Sequence, residues 1–229
     1  MKRYARAAGF AAVMAVAVQG GARAASTPSF DCARATSSAE KAICADARLG
    51  ALDVSIANQF GKARKAFDAE TARALSSEQR QFVRVRDESY EHPTDSATGA
   101  EEIAERLRDR EAFLTALELA PRKGFEGNWG NFSGELKVTR LADGRLAAKV
   151  SAAAPYNASW VCEASGVGAL SGDTLVLQEQ DGDGWTLVLR RVGSGLGLEE
   201  VPPPGDKSEA SSPSCGFNGS LAGIYFPLR

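Results

Sequence analysis

Four cysteines follow an N-terminal stretch, "MKRYARAAGFAAVMAVAVQGGARAAS", that has the form of an export signal. Lys2, Arg3 and Arg6 precede an apolar run from Ala7 to Val18, which is followed by Gly20-Gly21 and the small-residue site Ala22-Arg23-Ala24. The run is shorter than the ~20 apolar residues a bilayer span needs. Residues 1–24 are therefore expected to be removed as a signal peptide, leaving a periplasmic or secreted chain that does not insert into the membrane. In such compartments cysteines form and keep disulfides. Cys32 and Cys44 bracket a short helix in "DCARATSSAEKAICADARLGALD", and Cys162 and Cys215 sit in "WVCEA" and "SCGFNG". None of them has the C-x-x-C spacing of a redox helix or a zinc knuckle, and His92 is the single histidine. Four cysteines allow three pairings. The simplest places one bond in each half, Cys32–Cys44 and Cys162–Cys215, contributing roughly 3 and about 4 kcal/mol by chain-entropy arithmetic. The thiols read as staples, with no metal or cofactor implied.

The pattern changes character near Pro121. Residues 27–120 are expected to form a helical domain and residues 125–229 an all-β domain, an α+β architecture overall. Ser37 with Glu40 is a capping box opening a short helix. Leu49, Leu52, Ile56, Phe60, Ala63 and Phe67 recur at three- and four-residue steps along a second, from about Ala47 to Phe67. Ser76 and Gln79 have the capping spacing and are read as the start of a third, which carries Phe82 and Val85. After "HPTDSATG", Thr98 and Glu101 open a fourth, with Ile103, Leu107, Leu114 and Leu117 on one side and Pro121 and Gly124 beyond its end. Lone amphipathic helices are marginal in water, so these faces are expected to pack into a hairpin or bundle.

The second half reads as short alternating runs. "ELKVTRL" and "RLAAKVS" flank "ADG", and "TLVLQEQ" and "WTLVLRRV" flank "DGDG". "YNASWVCEA", "GLGLEEV" and "SLAGIYFPL" supply further strands, and "PPPGDKSEASSP" a polar excursion. About eight strands with tight turns predict an antiparallel barrel or sandwich. Trp129, Trp160 and Trp185 are assigned mainly to its core, with a sugar or protein platform as the other reading.

The charge balance excludes some partners. The chain has 27 basic and 29 acidic residues; four of the basic ones lie in residues 1–24, leaving 23 against 29, a net charge of −6. Such a surface argues against nucleic acid or anionic lipid and is compatible with a cationic partner, while charge alone favours ordinary solubility as its explanation. No catalytic set stands out. His92 lies in a polar loop beside Pro93, far from any evident nucleophile. The carboxylate pairs Glu101-Glu102, Glu199-Glu200 and Asp181 with Asp183 read as solvated faces and a hairpin turn. "DGDG" lacks the later ligands of a calcium loop.

The N-terminal half resembles the LprI-type lysozyme-inhibitor family of small exported bacterial domains. The matching residues are Asp31-Cys32, then Glu40-Lys41-Ala42-Ile43-Cys44, Leu49, the pair Leu52-Asp53, and "LSSEQRQFVRVRD" from Leu75 to Asp87, which holds Gln79, Phe82, Arg86 and Asp87. The match covers about residues 30–118. Family members commonly carry a cysteine just after Arg-Asp and another in the last helix, where this chain has Ser89 and none. The resemblance implies binding to lysozyme, a cationic peptidoglycan hydrolase, or to another cationic envelope protein, with no chemistry by the protein itself. Two other readings stay open: an envelope binding or scaffold module without a lysozyme target, and an unrecognised hydrolase using an acid pair.

Overall fold

The computed structural model describes residues 27–94, 97–120, 122–180, 182–205 and 213–229. The segment expected to be a signal peptide, Pro121, Asp181 and most of the polar excursion lie outside the described residues. A 3-10 turn at Cys32–Arg34 leads into four helices, α1 (Ser38–Ala45), α2 (Ala47–Ala66), α3 (Ala69–Glu91) and α4 (Gly99–Ala116). Eight strands follow: β1 (Gly127–Gly130), β2 (Gly134–Arg140), β3 (Leu146–Ala153), β4 (Val161–Ser171), β5 (Thr174–Glu179), β6 (Thr186–Val192), β7 (Gly195–Val201) and β8 (Gly223–Leu228). Each strand pairs antiparallel with its successor, and β8 returns to β1 to close the barrel. Both disulfides form within a half, Cys32–Cys44 and Cys162–Cys215. Among the described residues no helix is long and apolar enough to cross a membrane.

The capping boxes expected from sequence are present at Ser37/Glu40 and Thr98/Glu101. The third helix starts earlier than its capping pattern suggested. Asp68 is its N-cap, accepting from Glu70 N and Thr71 N, while Ser76 lies inside the helix and donates back to Ala72 O. A capping spacing is not sufficient, because a competing N-cap, Asp68, directly follows Phe67 and lets the helix begin as soon as α2 has ended. The expected strand "YNASWVCEA" also begins later. Tyr156–Trp160 form a turn with Ala158 at a φ of 49°, and β4 opens at Val161.

An eight-stranded barrel has an interior that side chains can fill. Here Trp129, Leu136, Val150, Leu175, Leu187, Leu196 and Tyr225 are among the residues filling it. Full burial of each such side chain contributes about 2 kcal/mol. The helices have their own core around Ile43, Ile56, Leu75, Phe82, Ile103, Leu107 and Leu114.

The two cores meet along β8, because strand alternation turns Tyr225 inward and Phe226 outward onto the helices. Phe226 stacks on Phe67 at 6.2 Å and meets Phe113 edge-on. Glu118 N donates to Pro227 O, and Leu117 bridges Leu228. Further ties run through the barrel loops. Ser194 N donates to the Asp68 carboxylate, and Arg106 donates to the carbonyls of Pro155 and Tyr156. At Gly193 the φ is 56°, and a side chain would collide with Asp68, so both turn shape and close approach call for glycine there.

Candidate functional site

Most residues of the N-terminal motif brace the bundle, in two groups. Asp31 caps the 3-10 turn by accepting from Ala33 N. Cys32–Cys44 ties that turn to the end of α1, and Ile43 is buried beneath it. Glu40 accepts from the backbone N–H groups of Thr36 and Ser37, which lower its pKa, with Arg86 adding a smaller pull. Lys41 is exposed. Leu52 packs on the helical core, while the buried Asp53 accepts from Ser29 N at 2.7 Å and pins the chain entering the domain. Arg86, also buried, donates to Asp87 at 2.7 Å.

Gln79 and Phe82 belong to a second cluster, centred on Arg110. This guanidinium is buried at 2 % exposure, donates to Gln79 Oε1 at 2.9 Å and to Glu78 Oε1 at 2.6 Å, and lies over the rings of Phe82, Phe113 and Phe132. Glu78 Oε2 accepts from Phe132 N in the β1–β2 loop, so the pair joins the two halves. Burial raises the Glu78 pKa and lowers that of Arg110, each opposed by the attraction of the other. A cleft of about 250 Å³ opens beside it, walled by Arg106, Phe113, Phe132 and Pro155. Arg110 was not singled out from sequence. The signal was there: it stands on the stripe Ile103, Leu107, Leu114, Leu117 at the one turn where an apolar residue is missing.

The paired acids are likewise engaged. Glu101 completes its capping box, Glu102 binds Arg106, and Glu199 binds Arg190. Asp183 sits in a turn at a φ of 48°. His92 caps the end of α3 and accepts from Tyr156 Oη through its carbonyl.

A different arrangement occupies the barrel end where β4 and β8 start and β5 and β7 finish. Cys215 pairs with Cys162 as an isolated bridge, flanked by Glu163 N to Ser214 O and Gly216 N to Val161 O, both 2.9 Å. Immediately beyond, Gly219 N donates to Gly216 O at 2.8 Å, closing a tight turn with Phe217 at its apex and Asn218 at a φ of 62°. That third position of the turn favours Gly or Asn. A side chain at Gly219 would approach Cys162 Sγ to 2.8 Å and Trp160 Cε3 to 3.2 Å, so the turn is seated directly on the disulfide and the indole.

Phe217 is 89 % exposed, the highest of the exposed large hydrophobic side chains, and Val161 and Val201 are exposed at the same barrel end. Carboxylates hold the segment in place. Glu179 accepts from Ser214 Oγ, and Glu200 accepts from Ser220 Oγ and Leu221 N at 3.0 and 2.7 Å. Glu163, beside Cys162, is paired with Lys149. Two carboxylates, Glu179 and Glu200, thus hold the segment that carries the apolar tip. Trp129 is buried in the barrel core, Trp185 is buried in the turn just before β6 and outside that core, and Trp160 is half-buried under the tip. "SCGFNG" entered the sequence reading only for its cysteine. An aromatic residue between two glycines beside a disulfide was the available clue.

Comparison of the chain with protein-family models, with curated proteins and with solved structures returns no match.

Proposed function

We propose that the protein is an exported, non-catalytic binding protein that inhibits lysozyme by occupying it. The observation that carries this reading is the disulfide-seated barrel end, where Glu179 and Glu200 hold the segment whose turn presents the exposed Phe217. A net-acidic chain steers a cationic partner into contact, and the turn spends little ordering entropy on binding because its disulfide and hydrogen bonds already hold its backbone. The N-terminal motif supports the choice of lysozyme, and the net charge of −6 without residues 1–24 favours the same encounter.

The oxidised protein lacking residues 1–24 is added to lysozyme clearing a suspension of bacterial cell walls. Lysis falls with dose, and added salt weakens the effect as the charges are screened. Undiminished lysis at a large molar excess discards lysozyme as the target and leaves an envelope binding or scaffold module.

A further inference from the structure

Resting on that reading, we infer that Phe217 is the anchor of the interaction: the Gly216–Gly219 turn inserts its ring into an apolar pocket of a cationic protein whose rim carries basic side chains. Phe217 is 89 % exposed and belongs to neither core among the described residues; with exposed Val161 and half-buried Trp160 at the same turn it forms an apolar patch, and such patches mark interaction sites. Binding energy in protein interfaces concentrates in a few aromatic anchors, ringed by contacts that exclude water. Half-buried Trp160 beneath the turn and exposed Val161 beside it supply that surround. The disulfide and the Gly219 N to Gly216 O hydrogen bond hold the backbone that carries Phe217, so the turn is presented without prior rearrangement.

The charge selects among occupants. Without residues 1–24 the chain carries a net charge of −6, so a second copy and an anionic lipid surface are both repelled. A cationic protein is attracted, and its pocket receives the ring.

The test uses the full oxidised chain lacking residues 1–24, with Phe217→Ala, Phe217→Leu and, at the opposite end of the barrel, Leu170→Ala, which removes another half-exposed apolar side chain. Circular dichroism confirms that each variant is folded. Kd is measured by calorimetry against the tightest binder in a panel of purified lysozymes, alongside sedimentation of the chain alone and co-sedimentation with phosphatidylglycerol vesicles. Phe217→Ala raises Kd tenfold or more, Phe217→Leu raises it less, and Leu170→Ala leaves it unchanged. Wild-type binding that survives Phe217→Ala intact overturns the anchor and leaves lysozyme inhibition standing. No wild-type binding to any lysozyme overturns both. Self-association or vesicle binding that disappears with Phe217→Ala reassigns the tip to a second copy or to lipid and overturns the inference.

Discussion

Replacing Arg110 by Met removes a charge from the junction of bundle and barrel while keeping most of the side chain's volume. The Arg110 side chain is 1 % exposed, its Glu78 partner 10 %, and their contact is 2.6 Å. In the variant the Glu78 carboxylate keeps one hydrogen bond, from Phe132 N at 3.0 Å, and loses its counter-ion. Breaking a buried pair by deleting one partner costs about 3–5 kcal/mol. Methionine among Phe82, Phe113 and Phe132 recovers part of the lost ring contact. For a chain of this size each kcal/mol lowers Tm by about 2–4 °C, so a drop on the order of 10 °C is expected at pH 7.

The loss depends on pH. Burial already raises the Glu78 pKa, and without Arg110 it rises further. The folded carboxyl then holds its proton more tightly than the unfolded one, whose value is near 4.3. The penalty is complete above the folded pKa and fades as pH falls toward the unfolded value. Near pH 4.5 the variant should differ from wild type at the same pH by only about 1 kcal/mol, the worth of a lost neutral hydrogen bond. Adding Glu78→Gln, which still offers Phe132 N an acceptor, should restore most of the stability at pH 7. Urea unfolding followed by tryptophan fluorescence reads all three proteins. An equal loss at both pH values, or a double variant as unstable as the single one, would refute the buried-pair account.

Other side chains give independent checks. The Ser89 hydroxyl is buried without a hydrogen-bond partner among the described residues, so Ser89→Ala should raise stability by about 1 kcal/mol, visible as a higher Tm. Burial pushes the Asp68 carboxyl up, but hydrogen bonds from Thr71 and Ser194 outweigh it and hold its pKa well below the ordinary value. Its contribution is present above the unfolded pKa and lost as pH falls through the folded one. Asp68→Ala should thus cost about 1 kcal/mol as a lost N-cap at pH 7 and nothing further in strong acid, as read by urea midpoints across pH. Replacing Cys32 and Cys44 together by Ser should cost about 3 kcal/mol, measured by the same unfolding curves, because the bond closes only a short loop.

Much of the fold was legible because local chemistry and global packing agree. Ser37/Glu40 and Thr98/Glu101 cap their helices as their spacing requires, and the alternating runs around "ADG" and "DGDG" pair as β2–β3 and β5–β6. The pairing of the cysteines followed from one bond per half. What escaped depends on partners distant in sequence. Phe226 reads as an ordinary strand residue, yet its outward side is covered by Phe67 and Phe113, so the two halves share a seam that no local pattern marks. Asp68 caps α3 while also gripping Ser194, a contact across 126 positions. Ser76 has the right spacing for a cap and loses to it. The barrel-end surface was the least legible, because Phe217 matters through its exposure, and exposure is a property of the closed barrel and not of the six residues around it.

Hydrogen–deuterium exchange of the oxidised protein, alone and with saturating lysozyme, tests the central claim most directly. Protection gained on binding should fall on residues 160–163 and 213–221, leaving the exchange of the N-terminal motif from Asp31 to Asp53 unchanged. Protection gained on that motif, with residues 213–221 exchanging as in the free protein, would contradict the assignment of binding to the barrel end.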